Sequence, residues 1–289
     1  MNNQILFIGG PGRSGTSFVA DRIGRHADVA TFQDVELKIF GEFGGLLDLQ
    51  WVLVKTFSPN RGEVAFKQFR DMLKAVRAGG YGQPLLNDVS NSEELDIIVE
   101  ELFYDLQPRG YITQIDYVTC NNAMRKFLQG LSWIALSQKP GASYFLEKTP
   151  HNCLHPKFLH ELSPNAKYIH IYRNPKAIAV SLLNQSWGPS VLDHAIVWVK
   201  SYFDAWRSAK SYYGRLGLPL LDLSIEEISG DSDKYGNIIC EYLKITPTDD
   251  VFTGASLDQL NRWKENISAD DIYKLNSEFD DLCNELEVS

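Results

Sequence analysis

A glycine-rich stretch near the N-terminus constrains the fold of this chain more than any other feature. It reads ILFIGGPGRSGTSFVADRI, an apolar run that passes through a tight turn into an amphipathic pattern, which predicts a strand, a loop and a helix. Gly10 and Gly15 have the spacing of a nucleotide phosphate loop, G-x-x-x-x-G-K-[ST], but Thr16 stands at the lysine position. Arg13 lies inside the turn instead. The pattern therefore predicts a loop that holds an anion, while the missing lysine counts against a nucleoside triphosphate.

Four short apolar runs define the expected sheet. They begin at Ile5, Ser143, Lys167 and Leu218, and helical segments separate them. Continuous apolar runs of this kind are typical of buried parallel strands with helices on both faces. We therefore expect an α/β fold with a P-loop-like parallel sheet flanked by helices. A chain of 289 residues, 44% of them hydrophobic, suits one large domain over residues 1–289.

A long segment between the first two apolar runs has a different pattern. From about Gly41 to Pro140 the sequence is mostly helical, and Gly79-Gly80 and Gln107-Pro108 break it into shorter helices. Ligands of open α/β sheets bind beyond the carboxyl ends of the strands. We expect this helical insertion to be a cap that shapes the pocket of an acceptor substrate. The alternative is that its helices only pack on one edge of the sheet.

Composition and charge narrow the class of protein. The net charge of −9 argues against nucleic acid or a strongly anionic membrane as the main partner. The four cysteines are widely spaced and contain no C-x-x-C pair, so we interpret them as reduced, buried thiols and expect no metal site. No run of 18 apolar residues and no signal-peptide pattern is found, so we expect a soluble, cytoplasmic protein without a membrane span.

A second informative stretch reads KYIHIYRNPKAIAVSLLNQSW. It predicts a strand that ends at Tyr172 and a helix with Asn174 as N-cap and Pro175 in the first position. Arg173 then stands at the carboxyl end of the strand, and Ser181 follows eight residues later on the helix. An arginine fork and a hydroxyl so placed are able to close on one phosphate from two sides.

A third stretch, FLEKTPHN, also follows a predicted strand directly. Glu147, Lys148, Thr149 and Asn152 crowd polar groups at the point where the sheet meets its crevice. Taken alone, the segment is better interpreted as a capped turn, in which Thr149-Pro150 opens a helix and Lys148 is solvated.

Taken together, the three stretches resemble the sulfotransferase family. GGPGRSGTS resembles the family's 5′-phosphosulfate loop, P-[KR]-S-G-T-[ST], and YRNPKAIAVS resembles its 3′-phosphate motif with an arginine-to-serine spacing of eight. LEKTPHN looks like the segment before the second motif in bacterial and Golgi-type members, and NRWKENIS looks like the C-terminal arginine-tryptophan-lysine segment. The resemblance implies 3′-phosphoadenosine 5′-phosphosulfate (PAPS) as cofactor and adenosine 3′,5′-bisphosphate (PAP) as its product.

The resemblance also implies roles for individual residues. The glycine-rich loop would hold the 5′-phosphate through backbone amides and hydroxyls, and the residues involved are Gly12, Arg13, Ser14, Gly15, Thr16 and Ser17. Arg13 would also contact the bridging oxygen, on which negative charge grows, and Lys148 would be the second cation there. The 3′-phosphate would be bound by Arg173, Ser181, and Arg262 or Lys264. No metal ion is required, because the sulfuryl group carries less charge than a triphosphate.

Transfer to an alcohol needs a base for the hydroxyl proton. Many family members place a carboxylate shortly after the helix that follows the loop, and TFQDVELKIF offers Asp34 and Glu36 there. ELKIF looks more like the family's glutamate followed by an aromatic pair, which favours Glu36. His151 stays open as a third candidate, since cytosolic members use a histidine.

The sequence also shows two departures from the family pattern and leaves two alternative functions open. The tyrosine of the family's Tyr-Glu-Asp-Leu segment is absent from Ile225–Ile228, and the C-terminal segment lacks the glycine-rich spacing of the cytosolic enzymes, so the chain sorts with bacterial members.

The acceptor would be a hydroxyl compound: a sugar, a lipid or polyketide alcohol, a phenol or a tyrosyl peptide. A nucleotide kinase is the first alternative, with Asp222 at the end of an apolar run as a magnesium ligand. The second is a non-catalytic nucleotide-binding relative.

Overall fold

A parallel sheet organises the chain. The computed structural model describes residues 4–32, 36–77, 89–248, 260–265 and 267–288, without the side chains of 89–92. Within these residues five parallel strands form a sheet in the order β2-β3-β1-β4-β5. The strands are β1 (Gln4–Gly9), β2 (Val29–Thr31), β3 (Tyr144–Lys148), β4 (Lys167–Tyr172) and β5 (Leu220–Ser224). The predicted α/β fold with a parallel sheet flanked by helices is confirmed.

Helices connect the strands throughout. In the first half of the chain they are α1 (Thr16–Gly24), α2 (Leu46–Val54), α3 (Pro59–Arg77), α4 (Val89–Leu106) and α5 (Tyr117–Ser137). In the second half they are α6 (Pro156–Leu162), α7 (Pro175–Leu183), α8 (Leu192–Leu216), α9 (Ile225–Gly230), α10 (Ser232–Leu243) and α11 (Ala269–Glu285). Short 3-10 turns lie at Pro108–Gly110, Asn152–Leu154 and Arg262–Lys264.

The chain divides into two compact units, and each has its own apolar core. The first unit comprises residues 1–7 and 27–167. Within it β2 pairs with β3 in parallel, Val29 opposite Tyr144, and the rings of Phe7 and Phe40 meet edge to face at 5.9 Å. Because the aromatic rings are fully buried, they supply much of the apolar area that stabilises this unit.

The segment between β2 and β3 contains the predicted helical insertion. Its described residues form α2 to α5, and no strand occurs among them. Helices α4 and α5 pack against each other, and α2 packs against both α3 and α5. The role of this segment as an acceptor cap stays a prediction, as does the assignment of residues 1–289 to a single domain.

The second unit comprises residues 8–26 and 168–289. Here β4 pairs with β5 in parallel, with Tyr168 opposite Leu220 and Tyr172 opposite Ser224. Asn174 caps α7 as predicted, since its side chain accepts hydrogen bonds from the amides of Lys176 and Ala177. The carboxyl end of β4 therefore leads directly into a capped helix.

Two predictions about the whole chain concern thiols and membranes. All four cysteines are free, and all four are buried. Burial raises the pKa of the Cys120 thiol to about 12, which keeps this group protonated and unreactive. Among the described residues, no helix has both the length and the apolar character that a membrane crossing demands.

Candidate functional site

The candidate residues fall into two groups, one in each compact unit. The group in the second unit is built on the turn between β1 and α1. Gly10, Arg13 and Gly15 have φ angles of 157°, 71° and 92°, so three residues of this turn adopt conformations that L side chains rarely take. Ser14 fixes the turn to the sheet, because its buried hydroxyl donates a 2.8 Å hydrogen bond to the carbonyl oxygen of Ile171 in β4.

Two glycines are required at this turn by close approach. A Cβ atom on Gly10 would lie 2.0 Å from the carbonyl oxygen of Ile171, and one on Gly15 would lie 2.8 Å from the side chain of Ile225. Gly12 has more room, since a Cβ atom there would meet only the ring of Trp187 at 3.9 Å. A side chain is thus excluded at Gly10 and Gly15 by close contacts, whereas Gly12 has space for one.

Helix α1 begins at Thr16, with Gly15 as an N-cap that has no side chain to occupy the helix end. Its first turn holds no acidic residue. The N-terminus of a helix attracts anions through its amide groups and its dipole. Thr16 is buried and Ser17 is exposed at the start of the helix, while the amide of Ser14 donates within the turn to the carbonyl oxygen of Pro11. The loop therefore offers an anion a helix end of positive potential.

Arg173, which follows β4, and Ser181 of α7 contact the loop within this unit. The Nε of Arg13 donates a 3.0 Å hydrogen bond to the Oγ of Ser181. Arg173 donates through Nη1 to the carbonyl oxygen of Arg13 at 3.3 Å. The loop and the R-N-P motif, which are far apart in sequence, thus form one cluster with two guanidinium groups.

Arg173 is the most buried cation of this cluster. Burial lowers the pKa of its guanidinium, the nearby Glu226 carboxylate raises it, and the charge of Arg13 lowers it. The Nε of Arg173 is buried and has no hydrogen-bond partner among the described residues. A buried donor without an acceptor is costly, and an anion would satisfy it. This orphaned donor, beside a second arginine, fits a phosphate or sulfate group.

The C-terminal segment also reaches this cluster. Arg173 donates through Nη2 to the carbonyl oxygen of Leu260 at 2.7 Å, and the 3-10 turn Arg262–Lys264 packs against α7, which bears Ser181. Arg262 and Lys264 are exposed, and the ammonium of Lys264 lies 5.5 Å from the ring centre of Trp263. The segment brings two further cations to the side of the unit that carries the arginine and serine.

The second group of candidates lies in the first unit and centres on an ion pair. The Nζ of Lys148, at the end of β3, lies 2.5 Å from Oε1 of Glu36. Lys38 approaches the other carboxylate oxygen at 3.4 Å. The Lys148 side chain is only 11% exposed and that of Glu36 20% exposed, so the pair is largely shielded from solvent. Glu36 and Lys148 were predicted from the sequence, but Lys38 was missed, and its position two residues after Glu36 is the signal that could have found it.

A buried carboxylate lies behind this ion pair. Glu147, next to Lys148, accepts hydrogen bonds from the Thr149 hydroxyl at 2.7 Å, from the Leu37 amide at 3.4 Å and from the Asn152 side-chain amide. Desolvation raises the pKa of Glu147 to about 7, and these hydrogen bonds oppose the rise. The polar residues of FLEKTPHN are thus mostly engaged with one another and with the segment that follows Glu36.

His151, the histidine candidate for the base, is held by a carboxylate. Its Nδ1 lies 2.9 Å from Oε1 of Glu42. Burial raises the pKa of the Glu42 carboxyl, but the hydrogen bond from His151 and the charges of His151, Lys38 and His155 together lower it below its ordinary value. Donation from Nδ1 leaves Nε2 as the basic nitrogen of the neutral ring. Asp34, the third candidate, lies outside the described residues.

The carboxylate that a kinase would use for magnesium has other partners. Asp222 in β5 accepts a 2.8 Å hydrogen bond from Nδ1 of the buried His170 and a 2.7 Å bond from Lys210. The His170 ring also stacks on Trp206 at 3.6 Å between ring centres. A carboxylate that bonds two side chains inside a packed aromatic cluster is structural, which does not favour the kinase alternative.

Comparisons with known proteins bear on the identity of the chain. A profile described as the sulfotransferase family matches residues 82–250, more than half of the chain. No curated protein sequence matches significantly. One similar solved structure is sulfotransferase STF1 from Mycobacterium tuberculosis H37Rv, with 15% identity and a TM-score of 0.49; the match covers 96% of this chain and 77% of that chain. Another is sulfotransferase STF9 from Mycobacterium avium, with 15% identity and a TM-score of 0.48; the match covers 100% of this chain and 78% of that chain. Mouse sulfotransferase SULT7A1 complexed with PAP has 11% identity and a TM-score of 0.46, with 98% of this chain and 86% of that chain covered.

The assignment rests on the profile match, which covers the segment from the helical insertion through β3, β4 and β5. The glycine-rich loop after β1 lies before the matched residues and plays no part in this assignment. The chain belongs to the sulfotransferase family of PAPS-dependent enzymes.

Proposed function

We propose that this chain transfers the sulfuryl group of PAPS to a hydroxyl acceptor by in-line displacement. The observation that supports it best is the cluster of Arg13, Ser181 and Arg173, in which the loop after β1 bonds the motif after β4. A nucleoside with phosphates at both the 5′ and 3′ positions needs two anion sites joined in this way, whereas an ATP enzyme needs only one.

In this proposal the second unit binds the cofactor. The helix end at Gly15, Thr16 and Ser17 and the loop residues Gly12, Arg13 and Ser14 hold the 5′-phosphate end. Arg173 and Ser181 hold the 3′-phosphate, with Arg262 or Lys264 as a further cation. The buried and unpartnered Nε of Arg173 supports this role, because it is a charged donor that needs an acceptor.

The first unit supplies the proton acceptor and a cation. When bound, PAPS supplies the sulfuryl group and leaves as PAP. Glu36 takes the proton of the acceptor hydroxyl. Its carboxylate oxygens lie 2.5 Å from Nζ of Lys148 and 3.4 Å from Nζ of Lys38. Lys148 and Arg13 stabilise the charge that grows on the leaving oxygen. Lys148 is therefore assigned two partners in turn, the carboxylate at rest and the leaving oxygen during transfer.

The histidine is the second candidate for the base, and a specific contact favours it. Glu42 orients His151 through Nδ1, an arrangement that makes Nε2 a good proton acceptor. Glu36, in contrast, must give up part of its pairing with Lys148 before its oxygen is able to accept a proton.

The acceptor is a hydroxyl compound, and the helical insertion is the segment that we assign to its selection. The cytoplasm suits the chain, because all four cysteines are buried as free thiols and a reducing compartment keeps them so. The catalytic domain in this proposal comprises residues 1–289.

An acceptor screen with radiolabelled PAPS tests the activity. Label should pass to at least one sugar, alcohol, phenol or tyrosyl peptide, and Lys148→Ala should abolish most of this transfer. Binding of PAP without transfer to any acceptor, in the native chain and in the Lys148 variant alike, would instead identify a non-catalytic nucleotide-binding relative. Stabilisation by ATP with magnesium as strong as that by PAP would point to a P-loop enzyme.

A further inference from the structure

The side chain of Glu147 is a buried group to which the proposed chemistry assigns no role. It lies at the end of β3 and is 2% exposed. Carboxylates are almost never buried to this extent unless they are paired or fully hydrogen-bonded. The groups that donate hydrogen bonds to Glu147 therefore indicate its role.

Among the described residues, Glu147 is the acceptor in each of its three hydrogen bonds. Thr149 donates its hydroxyl at 2.7 Å, Leu37 donates its amide at 3.4 Å, and Asn152 donates its side-chain amide. The Thr149 hydroxyl in turn accepts a 3.2 Å hydrogen bond from the amide of Lys38, which fixes its own proton on Glu147. A carboxylate accepts from every one of these donors, whereas an amide has only one oxygen with which to accept.

The donors come from two segments that are distant in sequence. Leu37 and Lys38 directly follow Glu36, and Thr149 and Asn152 closely follow Lys148. Lys38 has a φ of 55°, a left-handed conformation that a lysine adopts only when its surroundings impose it. The hydrogen bond from its amide to Thr149 is one of the contacts that impose it.

We infer that Glu147 is a positioning residue for sulfuryl transfer, which holds the backbone at Leu37 and Lys38 against the turn after β3 and so sets the Glu36–Lys148 pair. This inference rests on the proposed function for its catalytic consequence, but the clamp itself is a property of the folded chain. Glu147 touches neither the reacting atoms nor the cofactor in this scheme. It acts through the two residues that do.

The variant Glu147→Gln tests the clamp without a change in size. Its amide nitrogen cannot accept a hydrogen bond. Because Oε1 of Glu147 accepts from both the Thr149 hydroxyl and the Leu37 amide, a nitrogen at that position leaves the Leu37 amide without its acceptor and releases the Thr149 hydroxyl, which accepts from the Lys38 amide. Hydrogen exchange at these two amides should become about 10-fold faster, as expected for the loss of a local hydrogen bond. The value of kcat should fall about 10- to 100-fold, because misplaced catalytic groups lose rate, while the affinity for PAP stays within about 2-fold.

Two comparisons separate positioning from general damage. Glu161→Gln changes a half-buried carboxylate of the same unit that bonds Tyr117 and should leave both readouts unaltered. Thr149→Ser keeps the hydroxyl that links Lys38 to Glu147, so it should retain the native exchange rate and turnover. Thr149→Val removes this link and should reproduce the effects of Glu147→Gln.

The outcomes are distinguishable. Unchanged exchange at Leu37 and Lys38 in Glu147→Gln would overturn the clamp, whatever happens to activity. Faster exchange with unaltered turnover would overturn the positioning role alone. If the native chain transfers no sulfuryl group at all, the proposed function fails, and the exchange experiment then decides only whether Glu147 holds the segment. A variant that does not fold is replaced by Thr149→Val, which tests the same link from its other side.

Discussion

The Nε of Arg13 donates a 3.0 Å hydrogen bond to the Oγ of Ser181, although we assign these residues to opposite phosphates of one cofactor. The side chains that we assign to the two phosphates are therefore in direct contact. The Ser181 hydroxyl accepts this bond and still has its own proton, which it is able to donate to a 3′-phosphate while Arg13 stays bonded to it. Recognition of the 3′-phosphate and the position of the loop arginine are thus linked through one side chain.

The substitution Ser181→Ala should weaken PAP more than adenosine 5′-monophosphate, which lacks the 3′-phosphate. A hydrogen bond to a charged group contributes roughly 1.5–3 kcal/mol, so PAP affinity should fall about 10- to 100-fold. The affinity for the monophosphate should change by no more than about 3-fold. Isothermal titration calorimetry with both nucleotides measures the two values.

Ser208→Ala is the matched control for this experiment. Ser208 is an exposed serine of α8 whose hydroxyl bonds the carbonyl oxygen of Asp204 in the same helix, so its loss should not alter either affinity. Equal losses of PAP and monophosphate affinity in Ser181→Ala would remove Ser181 from the 3′ site.

The substitution Arg173→Lys keeps the charge but removes the planar fork. Arg173 bonds the carbonyl oxygens of Arg13 and Leu260 through its two terminal nitrogens, and a lysine cannot hold both while its charge faces a phosphate. We expect PAP affinity to fall by at least about 10-fold. Turnover at saturating PAPS should fall less, because the 3′-phosphate is held similarly in the ground and transition states.

A second arginine provides the comparison. Arg207 also forms a forked ion pair, to Glu285 on the surface, and Arg207→Lys should leave PAP affinity unchanged. If Arg173→Lys abolished turnover while PAP bound as before, Arg173 would act on the reacting end and not on the 3′-phosphate.

Much of the fold could be predicted from the sequence because its signals are local. The four apolar runs are β1, β3, β4 and β5, and the Asn-Pro pair marks the start of α7. Strand β2 was missed, since Val29–Thr31 is too short to show a period. The order of the strands depends on pairing between distant segments, which no local pattern records.

In the candidate site, too, local motifs could be predicted from the sequence, and contacts between distant segments could not. The residues that we assign to phosphate binding stand in recognisable motifs, so Arg13, Arg173 and Ser181 could be named from the amino-acid sequence alone. Two other contacts could not be predicted from the sequence, because each joins segments that meet only after folding. Glu42 contacts His151, and the Thr149 hydroxyl accepts a hydrogen bond from the Lys38 amide. Ordinary polar residues acquire such roles from tertiary packing alone.

The identity of the base can be decided with two variants. Glu36→Gln keeps the size of the side chain but removes its basicity, so turnover should fall about 10²-fold or more while PAP affinity changes little. His151→Gln should lower turnover much less. Initial rates at saturating PAPS with one acceptor measure both effects.

The opposite ranking would make the histidine the base. In that case Glu42→Gln should also impair turnover, because Glu42 holds Nδ1 of His151. Acceptors with more acidic hydroxyls should rescue Glu36→Gln if Glu36 is the base, since they lose their proton more readily. The same acceptors should not rescue Lys148→Ala to the same degree, because that variant lacks charge at the leaving oxygen.

The buried carboxyl of Glu147 should also make stability depend on pH. Desolvation raises its pKa in the folded chain to about 7 from the ordinary value of 4.5. The hydrogen bonds from Thr149, Asn152 and Leu37 and the charge of Lys148 all favour the ionised form, but burial outweighs them. Below pH 4.5 the group is protonated in both states, and above about pH 7 it is ionised in both.

Between these values the folded chain retains a proton that the unfolded chain has lost, so stability must fall as the pH rises. The difference in pKa corresponds to on the order of 3 kcal/mol over the whole range. We therefore expect the free energy of unfolding of the native chain, relative to that of Glu147→Gln, to decrease between pH 4.5 and about 7 and to level off above it. Urea denaturation at a series of pH values measures this difference. A relative stability that rises with pH would show that the hydrogen bonds to Glu147 outweigh its desolvation.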